Sequence, residues 1–512
     1  MPTEPKLAAV ILGLALTVGL PARAEAPLSA IDWLSQSLAT PVAAPPPVEP
    51  AVTPGGVPDD VSVTVLGGPS PDAVGLLPPQ ATGLPRALWG PGSTITIAAR
   101  ITAARTDALP ALQELLITLL LAEADPPPDA GGRGVLLLAR IDKLLDLGAL
   151  EQATALMQAS GATTPDLFRR SFDAALLTGT EDRACQVMRA SPDLAPTFPA
   201  RIFCLARAGD WNAAALTLRT AQALGLISAE EDALLSRFLD TALFEGEANL
   251  PPPAKLTPLV WRLFEAIGEP LPTGGLPLAF AAAELSDQSG WKAQIEAAER
   301  LTHAGAIAPN QLLGLYTARM PAASGGVWDR VAAFQRFDAA LTRGDPAAVA
   351  ETLPLAWARM TEVELEVPFA ALYADPLHQL ALAGDAGALA FRVMLLSDRY
   401  ERAALDRTPT DSFEAFLIGL ARGSVQGLAA PDSMARAIAP AFLTPVPSPE
   451  ATALLAEHRL GEALLAAIDA IGRGVQGDLR GVTEGLSLLR AVGLEDVARR
   501  TALQLLLLER RG

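Results

Sequence analysis

The sequence predicts an all-α fold: an α-solenoid of stacked helix–turn–helix repeats behind a disordered or extended Pro-rich N-terminal segment. Three observations lead there. Ala and Leu dominate the 512 residues, aromatic residues make up 5%, and β-branched runs are few, a composition that favours helix over sheet. From about Ile95 onward, apolar positions recur with helical spacing between short Gly- or Pro-bearing turns. One helix–Gly–helix pattern also returns along the chain, as set out below.

Residues 1–24 have the form of a secretory signal. Lys6 precedes the apolar run Leu7–Leu20, Pro21 breaks it, and Ala22-Arg23-Ala24 places small residues where a signal peptidase reads. The run is shorter than the ~20 residues a bilayer-spanning helix needs. The expectation is export to the periplasm, or secretion, with no stable membrane span after cleavage.

Residues 25–94 read as a tether. Pro recurs throughout and no Lys or Arg lies between Arg23 and Arg86, so a packed core is not expected there. Two apolar islands interrupt it. In the first, Ile31, Leu34 and Leu38 fall on one helical face beside Trp33, with Ser29 placed to cap. The second, residues 72–90, carries Leu84, Leu88 and Trp89 among turn residues. Pro-rich segments with apolar anchors are a common ligand form for protein grooves, so these seven residues are candidate partner-binding positions. The alternative is that both islands pack on the protein's own helical body. Val61–Leu66 alternates with period two, as a short edge strand would.

Residues 95–245 and 278–512 read as two helical-repeat halves, joined by a Pro-rich insert at 246–277 with one short helix, 260–267. The recurring unit reads LLDLGALEQATAL around Gly148, CLARAGDWNAAALTL around Gly209 and AALTRGDPAAVAETL around Gly344, with further copies at Gly179, Gly384, Gly461 and Gly493. Gly ends the first helix through a left-handed position, and an acidic residue soon after it favours the next N-terminus. This pattern resembles the tetratricopeptide-like class of α-solenoids, which implies stacked hairpins and a partner-binding surface and says little about activity. The strict tetratricopeptide consensus is not met. The whole chain is also similar to exported proteins of GC-rich alphaproteobacteria, some labelled "antifreeze glycopeptide polyprotein". Composition accounts for that label, because the nearest regular Thr pattern here is Thr94-Ile-Thr96.

The chemistry-bearing residues are few. A net charge of −18 argues against nucleic acid and anionic membrane as partners. Cys185 and Cys204 are the only cysteines, placed on neighbouring helices on either side of a Pro-rich connection; an oxidising compartment favours a disulfide between them. Closing that loop is worth about 3 kcal/mol on chain-entropy grounds. His303, His378 and His458 are too far apart for a helical metal pair, no phosphate-binding loop or nucleophile elbow occurs, and no cofactor is implied. Glu362-Val-Glu-Leu-Glu366 is expected on a solvated face. Soluble lytic transglycosylases share an Ala-rich periplasmic superhelix, but their catalytic Glu-Ser pair is missing from this chain. The expectation is a non-catalytic adaptor or scaffold for protein partners in the cell envelope. The alternatives are a glycan-related envelope enzyme with an unrecognised acidic site, or a secreted structural or stress protein.

Overall fold

The computed structural model describes residues 70–508 other than Ala162. The signal, the island with Ile31, Trp33, Leu34 and Leu38, and the strand at 61–66 lie outside the described residues. Among the described residues the protein is helical throughout, with one isolated parallel bridge between Leu77 and Ala122 and no strand. No described helix is long and apolar enough to cross a membrane.

Local chemistry sets the helix ends. Gly179 adopts φ 70° after Pro165–Thr178, a left-handed conformation that costs a Cβ-bearing residue more than glycine. In the Gly-Asp turns at 209–210 and 344–345, the Asp caps the next helix: Asp210 accepts from Ala213 N, and Asp345 from Ala347 N and Ala348 N. Gly461 departs from the expected pattern. It lies inside the helix Leu460–Val475, and His458 takes the left-handed turn at φ 58°. A Cβ at Gly461 would fall 2.5 Å from the Trp89 ring, so close packing selects glycine here.

The helices form a closed circuit. Trp291–His303 packs on Pro309–Thr317, which meets Val327–Thr342 and Glu366–His378. The path continues through Gly384–Leu395, Tyr400–Asp406 and Ser412–Ala421 to the last helix, Glu495–Leu507. That helix packs on Pro110–Leu121, followed by Val135–Asp146, which returns to Leu278–Leu285. At the seam, Gln504 Oε1 accepts from Ala111 N at 3.0 Å, Arg500 pairs with Glu114 at 2.6 Å, and Leu88 O accepts from Gly461 N at 2.7 Å. The repeats therefore do not run from a free first unit to a free last one.

Apolar burial divides differently from the two expected halves. The main core joins residues from 84 to 177 with residues from 279 to 508, so helices up to about residue 160 belong with the C-terminal ones. A second core, from Phe168 to Phe264, belongs to a smaller helical stack. Two helices form the wall between them. Pro165–Thr178 sends Leu167 and Leu177 to the main core and Phe172 and Leu176 to the second. Pro258–Ala266, close to the span expected within the insert, sends Trp261 one way and Leu263 the other. The prolines before it redirect the chain so that this helix folds back onto Pro165–Thr178.

The last part of the expected tether is a strap. Asp72 Oδ1 accepts from Leu137 N at 2.8 Å, which caps the helix Val135–Asp146 from outside. Arg140, 1% exposed, donates to the carbonyls of Val74 and Leu120 at 2.7 Å and of Ala122 at 3.0 Å. Leu84, Leu88 and Trp89 are buried in the main core, Trp89 to 1% exposure. These three are therefore not presented to a partner. An apolar side chain gains as much from the chain's own core as from a groove elsewhere, and this one is covalently at hand.

Candidate binding cleft

The second stack encloses a cleft of about 800 Å³. Thr164 accepts from Leu167 N and Pro165 occupies the first turn, which starts the helix Pro165–Thr178. Its i, i+3, i+4 spacing then brings Arg169, Phe172 and Asp173 to one wall. Pro196 comes from the connection before Phe198–Arg207 and Pro199 from that helix's first turn. Leu226, Ile227 and Leu234 come from the loop and helix around Ala229–Leu239. Leu250, Pro251 and Pro253 of the Pro-rich segment, with Leu259 and Leu263 of the returning helix, close the remaining side.

Most of this wall is apolar, and its hydroxyls are already engaged as helix caps. Thr197 Oγ1 accepts from Ala200 N, Ser228 Oγ from Glu231 N, and Thr257 Oγ1 from Val260 N. Ser228 and Glu231 form a reciprocal capping box.

The charged pair on the first wall is different. Arg169 is 2% exposed, and its Nε and Nη1 are buried without a hydrogen-bond partner. Asp173 is 4% exposed, and its Oδ2 is likewise without one. Loss of hydration, opposed by the two arginines, pushes the Asp173 carboxyl up to about 7. Burial, and then the adjacent Arg170 charge, lower the Arg169 guanidinium from its ordinary value. Arg170 itself points away and pairs with Asp142, Nη2 to Oδ2 at 2.7 Å. Lys255 and Glu230 stand at the exposed rim.

Behind the cleft, Cys185 and Cys204 are joined by a disulfide between Glu181–Ala190 and Phe198–Arg207, with their Cα atoms 5.0 Å apart. The bridge staples adjacent helices of the second core.

The other candidates disperse. His303 Nε2 meets Glu364 Oε2 at 2.9 Å, His378 faces Asp406 at 3.5 Å, and His458 holds a turn; the three do not meet. Among the described residues no group of His, Cys, Asp and Glu is arranged to hold a metal ion. The acidic run at 362–366 is not a solvated face throughout. Glu362 pairs with Arg359, Glu364 with His303, and Glu366 is buried. Thr94 and Thr96 fall in the first turn of the helix Thr94–Ala103, where Thr94 is buried and donates to Asp129.

Sequence reasoning did not single out Arg169 and Asp173. At i, i+4 on an amphipathic helix they look like an ordinary solvated pair, whereas in the structure residues from 196 to 264 share the cleft lining with them. No protein-family model, no curated protein and no solved structure matches the chain.

Proposed function

We infer that this protein is a non-catalytic adaptor or scaffold, exported to the periplasm, that binds protein partners through its helical surface. The observation that carries the reading is Trp211. It opens the helix Trp211–Ala223 with its side chain 50% exposed, yet its ring rests against Phe238 at 6.4 Å, and Phe238 stacks on Phe203 at 5.6 Å. An exposed tryptophan held against the half-buried Phe238, itself stacked on the buried Phe203, loses little side-chain freedom on binding, and Trp is enriched among residues that dominate interfaces. Leu243 is exposed in the short helical turn that follows Phe238. The tetratricopeptide-like repeat pattern, the disulfide and the signal-like N-terminus agree with an exported interaction protein.

A photo-crosslinking residue in place of Asn212, in intact cells, tests this. The reading expects a reproducible crosslinked partner, lost when Trp211→Ala is added; a central aromatic anchor of this kind is worth about 2 kcal/mol or more, roughly thirtyfold in affinity. Turnover of glycan by the purified chain, without any crosslinked partner, would favour the envelope-enzyme alternative.

A further inference from the structure

The cleft in the second stack is distinct from the Trp211 surface, and its composition is selective. Its volume of about 800 Å³ falls among ligand pockets, and its walls are dominated by Leu, Ile, Phe and Pro side chains. Such walls favour a hydrocarbon body. They disfavour sugars, whose many hydroxyls would meet mostly apolar side chains; Thr197, Ser228 and Thr257 are the few side-chain hydroxyls on the lining, and each already accepts a cap hydrogen bond. On this wall stands one buried guanidinium with two unpartnered nitrogens, beside one buried carboxyl with an unpartnered oxygen.

An isolated charge removed from water is costly unless an opposite charge with hydrogen-bonding capacity meets it. An anion from outside would meet Arg169, and its second oxygen could accept from Asp173 in the protonated form. The one buried cation suits a single negative charge, since Lys255, the other cation on the lining, stands at the exposed rim. A dianionic phosphate would have only one buried guanidinium to meet its charge, beside Asp173, with the exposed rim offering Lys255 but also Glu230. A cationic headgroup would stand against Arg169.

We propose that this cleft binds a small amphipathic monocarboxylate of the fatty-acid type, its carboxylate on Arg169 beside Asp173 and its hydrocarbon chain along the Leu and Pro walls. The carboxylate replaces water around Arg169 with a charge-assisted hydrogen bond, and the chain covers apolar surface that the fold leaves open.

The test is calorimetric titration of the full-length purified protein with three probes of one chain length, all below their micelle concentrations: n-dodecanoate, n-dodecanol and dodecyltrimethylammonium. Saturable one-to-one binding is expected, with dodecanoate at least about tenfold tighter than either other probe, as a charge-assisted bond in an apolar site requires. Arg169→Met should remove that preference and leave dodecanol binding within about threefold, with the variant's fold checked by its circular dichroism melt. Ala233→Phe, at an exposed position on the cleft lining, should weaken both dodecanoate and dodecanol while leaving the melt unchanged.

Equal or tighter binding of the ammonium or the alcohol overturns the proposal, as does a lack of saturation or indifference to Ala233→Phe. Should Arg169→Met fail to fold, the three-probe series and Ala233→Phe still decide it. Loss of the Trp211 crosslink leaves these titrations unchanged, so the two readings fail separately.

Discussion

Arg140 and Arg169 are both removed from water, each with a buried aspartate nearby, yet their surroundings differ in kind. Arg140 sits under the strap and donates to main-chain carbonyls from both the strap and the helix Pro110–Leu121. Its pKa, lowered to about 10 by burial and partly restored by Asp72, stays far above neutrality. Arg169 lines the cleft, and its buried Nε and Nη1 have no acceptor. The first arginine holds two parts of the chain together. The second attracts Asp173, Asp142 and Asp166 only through its charge and makes no hydrogen bond from Nε or Nη1. Burial of a charge is therefore not a uniform signal, and the inventory of acceptors decides what it means.

The contrast is sharpest in stability. Arg140→Met leaves several carbonyls under the strap without donors and should cost about 3–5 kcal/mol, seen in chemical denaturation and in faster hydrogen exchange along 72–77 and 120–123. Arg169→Met should lie within about 1 kcal/mol of the parent or above it, because it removes a buried charge whose Nε and Nη1 make no hydrogen bond, and Asp173 beside it can take up a proton. Similar losses for both variants would break the comparison.

Reducing the Cys185–Cys204 bridge, or replacing both cysteines by Ser, should lower the stability of the second stack by about 3 kcal/mol and leave exchange in the strap unchanged. The readout is domain-resolved hydrogen exchange with and without reductant. A fall shared equally by both cores would show that they unfold as one.

The pH response follows from Asp173. Its folded-state pKa, pushed up to about 7, lies above the unfolded value of 3.8, so the folded protein holds this proton more tightly. Stability contributed by that proton is present at low pH, declines as pH rises between about 4 and 7, and is flat above that window. Acidifying from pH 8 to pH 5 should stabilise the second stack by about 2–3 kcal/mol. Asp173→Asn should flatten the curve, as followed by denaturation midpoints across the pH range. A slope unaffected by that change would place the titrating group elsewhere.

Much of the local architecture is legible in the sequence because it depends on neighbouring residues. Gly179, Asp210 and Asp345 end or start helices through interactions within four or five positions. The helix expected at 260–267 is found at Pro258–Ala266 for the same reason. What the sequence conceals is set by distant parts of the chain. Nothing near Leu88 and Trp89 says whether their apolar surface meets a partner or Gly461. Nothing near Arg169 and Asp173 reveals that the chain will return more than eighty residues later to line the same cleft. Local rules also misplace Gly461, whose small size answers to the Trp89 ring and not to a turn.

The seam between Ala111 and Gln504 joins residues 393 positions apart. An open repeat array can nucleate anywhere and grow by adding neighbours, each step rewarded locally. Closing the circuit adds a step of high contact order, in which loop-closure entropy is lost before the long-range contacts repay it. A nascent chain, made from its N-terminus, cannot complete the main core until Glu495–Leu507 has been synthesised. Until then Leu112, Leu116 and Leu119 lack their final cover, and the intermediate is exposed to aggregation. Trimming the last helix should therefore impair folding at the opposite end of the sequence, a sensitivity that a linear stack of the same repeats would not share.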